Sequence, residues 1–409
     1  MSPQSPDTAA AAPQKDMYFG KYVSPEGSKN LKLYTYKGID HSLIYKHVLT
    51  PMNNYLMQFV PLWLAPNTIT LLGLIAVIVS HIIVASYSPN FEGEAPAWVY
   101  LFSAVALFFY QTLDNLDGKQ ARRTGTSSPL GLLFDHGCDA INCSIGSMTM
   151  AAVAQFGAGW KSVLMVLWIN FAFIGATWEE YYTGTLELPI INGPTEGVLI
   201  AVVLKLATAA LGTRFWHHDT FVSGVQNNTL FLFTMLATSS ITVLGNVVNV
   251  SQTVRKQRIS VAVAMTRLIP FALFNGLAII WALYSPSDIL SHHPRLFLWT
   301  AGLLNSKLLV RLQYLHLMLA HLCEEEFHPF RKTLVPVFFV AGHYLYGHIQ
   351  GTLVVGLGTE TLLLQEFFYI ALAAYVHIVI TVIGEVKTVL NIPVFTVPKA
   401  NQTLANKSQ

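Results

Sequence analysis

Residues 114–139 read DNLDGKQARRTGTSSPLGLLFDHGCD, and this stretch is the most informative part of the chain. It carries two pairs of aspartates, and the members of each pair are three or four residues apart. At that spacing the two side chains of a pair lie on one face of a helix. The pairs are Asp114 with Asp117 and Asp135 with Asp139.

A turn separates the two predicted helices. Residues 124–129 are Thr-Gly-Thr-Ser-Ser-Pro, in which Ser128 is a typical N-cap and Pro129 suits the first position of the following helix. Asp117 and Asp135 lie at equal distances from the centre of this turn. The stretch therefore predicts a helical hairpin whose four carboxylates meet at nearly the same height.

The rest of the chain has the composition of a membrane protein. Of its 409 residues, 53% are hydrophobic and 11% are charged, whereas about a quarter of the residues in a soluble domain are charged. The apolar residues form blocks of about twenty, the length of helix that crosses a bilayer. We therefore predict an all-α polytopic membrane protein with about ten transmembrane helices. The predicted spans are residues 67–87, 96–122, 129–156, 160–181, 195–212, 228–250, 259–283, 294–317, 333–356 and 362–388.

The sequence divides into five predicted regions. These are a disordered or irregular tail (1–33), amphipathic interfacial helices (34–66), a core that contains the hairpin (67–212), additional transmembrane helices (213–390) and a second tail (391–409). Lys and Arg are concentrated in the loops on one side of the predicted spans, and the positive-inside rule then places both termini in the cytoplasm. The basic residues form no stripe, which argues against nucleic-acid binding.

Four aspartates close together inside a membrane protein require a compensating charge. A carboxylate within a span costs about 2.5–3.5 kcal/mol on insertion scales, and neighbouring carboxylates also repel one another. Oxygen ligands without a matching Cys/His set favour magnesium, with manganese as the alternative. A solvated acidic patch or the cation site of a transporter is the competing interpretation. The small residues Gly118, Ala121 and Gly131 favour a bulky ligand between the helices.

The pattern Asp-x2-Asp-Gly-x2-Ala-Arg-x8-Gly-x3-Asp-x3-Asp resembles the signature of the CDP-alcohol phosphotransferase family at every fixed position. The resemblance extends to the eukaryotic choline and ethanolamine phosphotransferase branch through four further segments. They are YKGID at 36–40, APNTIT at 65–70, DHGCD at 135–139 and WEEYYTGT at 178–185. The resemblance implies transfer of phosphocholine or phosphoethanolamine from CDP-choline or CDP-ethanolamine to diacylglycerol. A CDP-diacylglycerol-dependent phosphatidyltransferase and a cation-coupled transporter are the alternatives.

The resemblance also implies roles for the acidic cluster and its neighbours. Asp114, Asp117 and Asp135 would hold two magnesium ions on the donor's diphosphate, and Asp139 would complete the site. His136 is the first candidate for the general base, because imidazole titrates near neutrality. Glu196 would orient His136 or take the proton, and Asp139 is a third candidate. A structural histidine and a glutamate that complements a helix dipole are the competing interpretations.

Residues flanking the aspartates are candidates for substrate binding. Asn67 would hydrogen-bond the donor, while Lys119 and Arg122 would meet its phosphates. The small residues named above would allow the nucleotide to approach the backbone. By resemblance we expect a homodimer in the endoplasmic reticulum or Golgi, with the active site facing the cytoplasm and residues 213–390 providing lipid-substrate or dimer contacts.

Overall fold

The structure is a computed structural model that describes residues 25–34, 37–220, 222, 224–317, 335–350 and 356–407. Most of the predicted N-terminal tail, Tyr36 of the YKGID segment, residues 318–334 and part of the predicted span 333–356 lie outside the described residues. The described chain is predominantly helical. Its α-helices are α1 (Pro25–Leu33), α2 (Thr50–Leu56), α3 (Pro66–Tyr87), α4 (Ala97–Arg123), α5 (Pro129–Val153), α6 (Trp160–Thr183), α7 (Val198–Leu211), α8 (Asn227–Lys256), α9 (Val261–Met265), α10 (Ile269–Tyr284), α11 (Ile289–His292), α12 (Pro294–Leu317), α13 (Val335–Gln350), α14 (Leu357–Leu390) and α15 (Lys399–Lys407).

Seven helical segments in the described chain are long and apolar enough to cross a membrane. They are Pro66–Tyr87, Ala97–Arg123, Trp160–Thr183, Gly193–Leu211, Asn227–Lys256, Val261–Tyr284 and Leu357–Leu390. This confirms an all-α polytopic membrane protein. Helices α5, α12 and α13 occupy the other three predicted spans but do not meet the length and hydropathy criteria, so the number ten stays a prediction.

Helix α5 is buried along most of its length and forms the centre of the bundle. It packs against α3, α6 and α12, while α4 packs mainly against α3 and α7. A helix surrounded by protein does not face lipid, which explains why α5 tolerates two aspartates and a histidine. The close approach of α3 to α4 depends on Gly73, since a Cβ at this position would lie 3.2 Å from the ring of Tyr110.

The N-terminal segment is more regular than the sequence indicated. Helix α1 lies within the predicted tail, 1–33, and its Leu31 is fully buried. The boundary of the tail stays a prediction. Strand β1 (Gly38–Asp40) pairs in parallel with strand β2 (Leu186–Leu188). Helical turns then run over residues 45–59, with exposed apolar side chains such as Val48. Their position at the membrane interface stays a prediction.

Two polar side chains at the end of α4 bind this N-terminal segment. Gln120 donates to the carbonyls of Pro61 and Leu64, both at 2.9 Å. Arg123 donates to two further carbonyls of the segment, those of Met57 at 2.9 Å and Val60 at 2.8 Å. These bonds fix the segment to the helix that carries the first aspartate pair.

At the other end of the chain, α14 is followed by residues 391–407, which we call the C-terminal strap. The sequence predicted a tail for 391–409. In the structure the strap contains α15 and the buried residues Val397 and Ala405, and its assignment as a tail stays a prediction.

Candidate active site

The predicted hairpin is present and is formed by α4 and α5. Helix α4 ends at Arg123, and Gly125 adopts a left-handed conformation with φ of 61° in the turn. The hydroxyl of Ser128 accepts a hydrogen bond from the backbone N–H of Gly131 at 3.2 Å, which caps α5. Pro129 is the first residue of α5, as predicted.

Three of the four aspartates converge between these helices. Asp114, Asp135 and Asp139 are half-buried, and each offers a carboxylate oxygen within 4.8 Å of the other two. Asp117 lies outside this set, and its Oδ2 accepts a hydrogen bond from the hydroxyl of Thr70 on α3. The structure therefore brings three predicted metal ligands together, and a metal role for Asp117 stays a prediction.

The donor set of this cluster fits a divalent cation. The Oδ1 atoms of Asp114 and Asp135 are buried and have no hydrogen-bond partner among the residues that the structure describes. A buried carboxylate oxygen without a partner is costly, and three carboxylates at this separation repel one another strongly in a low-dielectric site. Hard cations such as magnesium take oxygen ligands of this kind.

Asp139 is held by a tyrosine on the opposite helix of the hairpin. The Tyr110 hydroxyl donates to Asp139 Oδ1 at 2.5 Å, and Tyr110 is 3% exposed. Tyr110 lies four residues before Asp114, so both side chains project from one face of α4. That bond fixes one oxygen of Asp139 and leaves the other available to the cluster.

His136 is buried beside the cluster but contacts a different acid from the one predicted. Its Nε2 lies 3.5 Å from Glu180 Oε2 on α6, while its Nδ1 lies 3.2 Å from the Leu132 carbonyl and 3.9 Å from Asp135 Oδ2. The other Glu180 oxygen lies 3.6 Å from Nε2 of His316 on α12. His136 therefore belongs to a buried His–Glu–His group next to the carboxylates.

Glu196 has other partners in the structure. Its Oε1 accepts a hydrogen bond from the Ser42 hydroxyl, and its Oε2 accepts one from the Asn192 backbone N–H at 3.0 Å. Within the described chain, the acids at pairing distance from His136 are Glu180 and Asp135, and Glu196 is not among them. The predicted orientation of His136 by Glu196 is therefore not seen in this arrangement, and a catalytic role for Glu196 stays a prediction.

The candidate substrate-binding residues lie near the turn end of the hairpin. Asn67 is buried in the first turn of α3, and its Nδ2 donates to the Val394 carbonyl at 2.9 Å. Lys119 donates to Asn54 Oδ1 at 2.8 Å. Arg122 is exposed, and Ala121 beside it is half-buried.

Two glycines in this region leave room beside the backbone. A Cβ at Gly118 would meet only the Arg122 guanidinium, at 3.5 Å or beyond. A Cβ at Gly131 would lie 3.7 Å from Ser128 Oγ and 3.8 Å from Asn67 Oδ1. Both are ordinary van der Waals distances, so the space beside these glycines is large enough for a methyl group.

Comparison with known proteins identifies the family. The sequence profile described as CDP-alcohol phosphatidyltransferase matches residues 63–305, more than half of the chain. The chain belongs to this family. The matched region contains the whole hairpin and its acidic cluster. Membership in a transferase family makes the chain an enzyme.

Individual relatives match three quarters or more of the chain. An uncharacterized CDP-alcohol phosphatidyltransferase class-I family protein 3 of Dictyostelium discoideum is 35% identical over 401 residues, 92% of this chain and 98% of the relative. Choline/ethanolaminephosphotransferase 1 of Arabidopsis thaliana is 35% identical over 398 residues, 92% of this chain and 99% of the relative. Cholinephosphotransferase 1 of Xenopus laevis is 33% identical over 317 residues, 75% of this chain and 77% of the relative.

Proposed function

We propose that the protein transfers the phosphocholine or phosphoethanolamine group of CDP-choline or CDP-ethanolamine to diacylglycerol, giving phosphatidylcholine or phosphatidylethanolamine and CMP. The observation that carries this proposal is the convergence of Asp114, Asp135 and Asp139 between α4 and α5. The names of the Arabidopsis and Xenopus relatives support the choice of an amino-alcohol head-group. The reaction is the final step of the Kennedy pathway.

The three clustered carboxylates, with Asp117 beside them, would hold two magnesium ions, or manganese in their place. When bound, such ions neutralise charge on the diphosphate of the donor and on the departing CMP. The residues contribute by holding their oxygens in place before the donor arrives. Tyr110 restrains Asp139 and Thr70 restrains Asp117 through the hydrogen bonds described above.

Donor binding is assigned to residues near the turn end of the hairpin. The space beside Gly118, Ala121 and Gly131 would accept the nucleotide next to the backbone. Lys119 and the exposed Arg122 supply positive charge for its phosphates. Asn67 lies next to Gly131, and its side-chain amide would hydrogen-bond the donor.

The proposed reaction forms one bond and breaks one. The diacylglycerol hydroxyl oxygen bonds to the β-phosphorus, the bond from that phosphorus to the CMP oxygen breaks, and the hydroxyl proton passes to a base. His136 is our first choice for the base because Glu180, 3.5 Å away, would stabilise the imidazolium that forms. Asp139 and Glu196 are the alternative bases.

We place the reaction on the cytoplasmic face, where CDP-alcohols are soluble. The concentration of Lys and Arg in one set of predicted loops supports this orientation with ten spans. Residues 67–212 would be the catalytic core, and 213–390 would contact the lipid substrate or a second subunit of a homodimer. The endoplasmic reticulum or Golgi is the proposed compartment.

A donor competition assay tests the function directly. Purified protein with magnesium and diacylglycerol is given labelled CDP-choline or CDP-ethanolamine, and labelled phospholipid is measured alongside CMP. Asp135→Asn serves as the matched inactive control. Product formed only from CDP-diacylglycerol and a small alcohol would contradict the proposal, as would ion flux in proteoliposomes without CMP release.

A further inference from the structure

The C-terminal strap returns to the catalytic hairpin and does not extend into solvent. Helix α14 ends at Leu390, and Asn391 adopts a left-handed conformation with φ of 52° that redirects the chain. Val397 and Ala405 are each 5% exposed. The strap is therefore packed against the rest of the protein at two separated points.

One strap residue binds the turn that follows α4. Asn401 Nδ2 donates to the carbonyl of Thr124 at 3.0 Å and to that of Gly125 at 3.1 Å. Thr124 and Gly125 directly follow the last residue of α4, so Asn401 supplies a donor from a distant part of the chain to two carbonyls of the turn. It holds the turn that joins α4 to α5.

A second strap residue contacts α5 next to the acidic cluster. The ring of Phe395 meets the ring of Phe134 edge to face, with centroids 5.6 Å apart. Phe134 directly precedes Asp135, one of the three clustered carboxylates. The strap thus touches the turn of the hairpin and its second helix, and the relative position of the two hairpin helices sets the separation of the carboxylates.

A third contact fixes the amide of Asn67. The Val394 carbonyl accepts a hydrogen bond from Asn67 Nδ2 at 2.9 Å. Because an amide has its donor and acceptor on opposite sides, this bond leaves Asn67 Oδ1 on the side of Gly131, where it would lie 3.8 Å from a Cβ. The strap therefore determines which group Asn67 presents to a ligand.

From these contacts we infer that the C-terminal strap is a positioning element of the donor site: Val394, Phe395 and Asn401 hold Asn67 and the hairpin in the arrangement that binds the CDP-alcohol. The inference rests on the proposed function, which supplies the identity of the donor. The strap residues position other groups, and none of them is assigned contact with the reacting atoms.

The test compares Asn401→Ala and Asn401→Asp with wild type, using the full-length protein in detergent. Aspartate keeps the size of asparagine but cannot donate to the two carbonyls when ionised. Loss of hydrogen bonds of this kind should weaken CDP-choline binding by about 3- to 10-fold. The same factor should appear in the KM for the donor, while the KM for diacylglycerol stays unchanged.

Thr403→Ala is the matched control, because Thr403 is exposed on the same helix and its hydroxyl bonds only the Lys399 carbonyl, at 3.0 Å. It should bind and turn over like wild type. Phe395→Leu is the second variant, since it weakens the ring contact without touching either hydrogen bond. It should also raise the donor KM selectively, and it keeps the test valid where an Asn401 variant does not fold.

Equilibrium binding of labelled CDP-choline with magnesium distinguishes a failure of the proposed function from a failure of the positioning role of the strap. Absence of donor binding by the wild-type protein would remove the proposed function itself. Normal donor binding by folded Asn401 and Phe395 variants would overturn the positioning role alone. Equal increases in the KM for the donor and the KM for diacylglycerol would show that the strap is merely structural. A gain in activity would show that it is inhibitory. Either result overturns the inference.

Discussion

Replacement of Tyr110 by phenylalanine tests whether the carboxylate cluster depends on hydrogen bonds that hold it in place. The Tyr110 hydroxyl donates to Asp139 Oδ1 at 2.5 Å in a buried position. Phenylalanine keeps the ring and its packing against α3 but removes the donor. Asp139 would then lose the bond that fixes its orientation toward Asp114 and Asp135.

The size of the effect follows from the type of bond that is lost. A hydrogen bond to a charged group contributes about 1.5–3 kcal/mol, which corresponds to about 10- to 150-fold in an equilibrium constant. We expect the half-saturating magnesium concentration for CMP release by Tyr110→Phe to rise by a factor in this range. The fold should be retained, because the hydroxyl is the only group removed.

The assay is a magnesium titration of CMP release from CDP-choline with diacylglycerol at saturating concentration. Tyr100→Phe is a suitable control, since Tyr100 lies on the same helix and is 2% exposed, compared with 3% for Tyr110. Its hydroxyl accepts from the Ala95 N–H at 3.0 Å, and Tyr100 lies about 21 Å along the helix from Asp114. Equal magnesium dependence in the two variants would refute the reasoning.

Other predictions concern the metal, the proton and the topology. Asp135→Asn should abolish magnesium-dependent CMP release with little loss of folded protein, and near-normal turnover would rule out the metal role. His136→Ala should lose at least about two orders of magnitude in turnover while equilibrium dialysis still detects donor binding; retained turnover would return it to a structural role. Glu180→Gln should slow turnover less than His136→Ala, because an amide oxygen still accepts a hydrogen bond, and a larger loss would make Glu180 the primary group. In a background without native cysteines, a label at Arg258 should react from the cytoplasmic side and one near Asn228 from the lumenal side, and the reverse pattern would overturn the orientation.

Local sequence patterns were sufficient to predict the hairpin. Its helices, its turn and the Ser128 cap depend on residues within four positions of one another, and each is present in the structure. Seven of the predicted spans also coincide with helices long and apolar enough to cross a membrane, because apolar block length is a local property too. The prediction that the aspartate pairs meet required one further step, because it assumes that two helices joined by a short turn lie antiparallel.

Partners supplied by other helices could not be predicted in this way. Thr70, which binds Asp117, is 47 residues away from it, and no periodicity connects the two. Glu180 could be recognised as an acid near the end of a span, but its contact with His136 depends on how α6 packs against α5. For Tyr110 the sequence does contain a signal, because its position four residues before Asp114 places the two side chains on one face of a helix.

The contacts of the C-terminal strap also constrain when the enzyme can mature during its synthesis. Asn67 and Val394 are separated by 327 residues, so the bond between them can form only after nearly the whole chain has been translated. The helices of the hairpin are synthesised early, before the strap that later contacts them. A ribosome that stops before Asn401 would therefore release a protein with all its aspartates but with an incompletely assembled donor site.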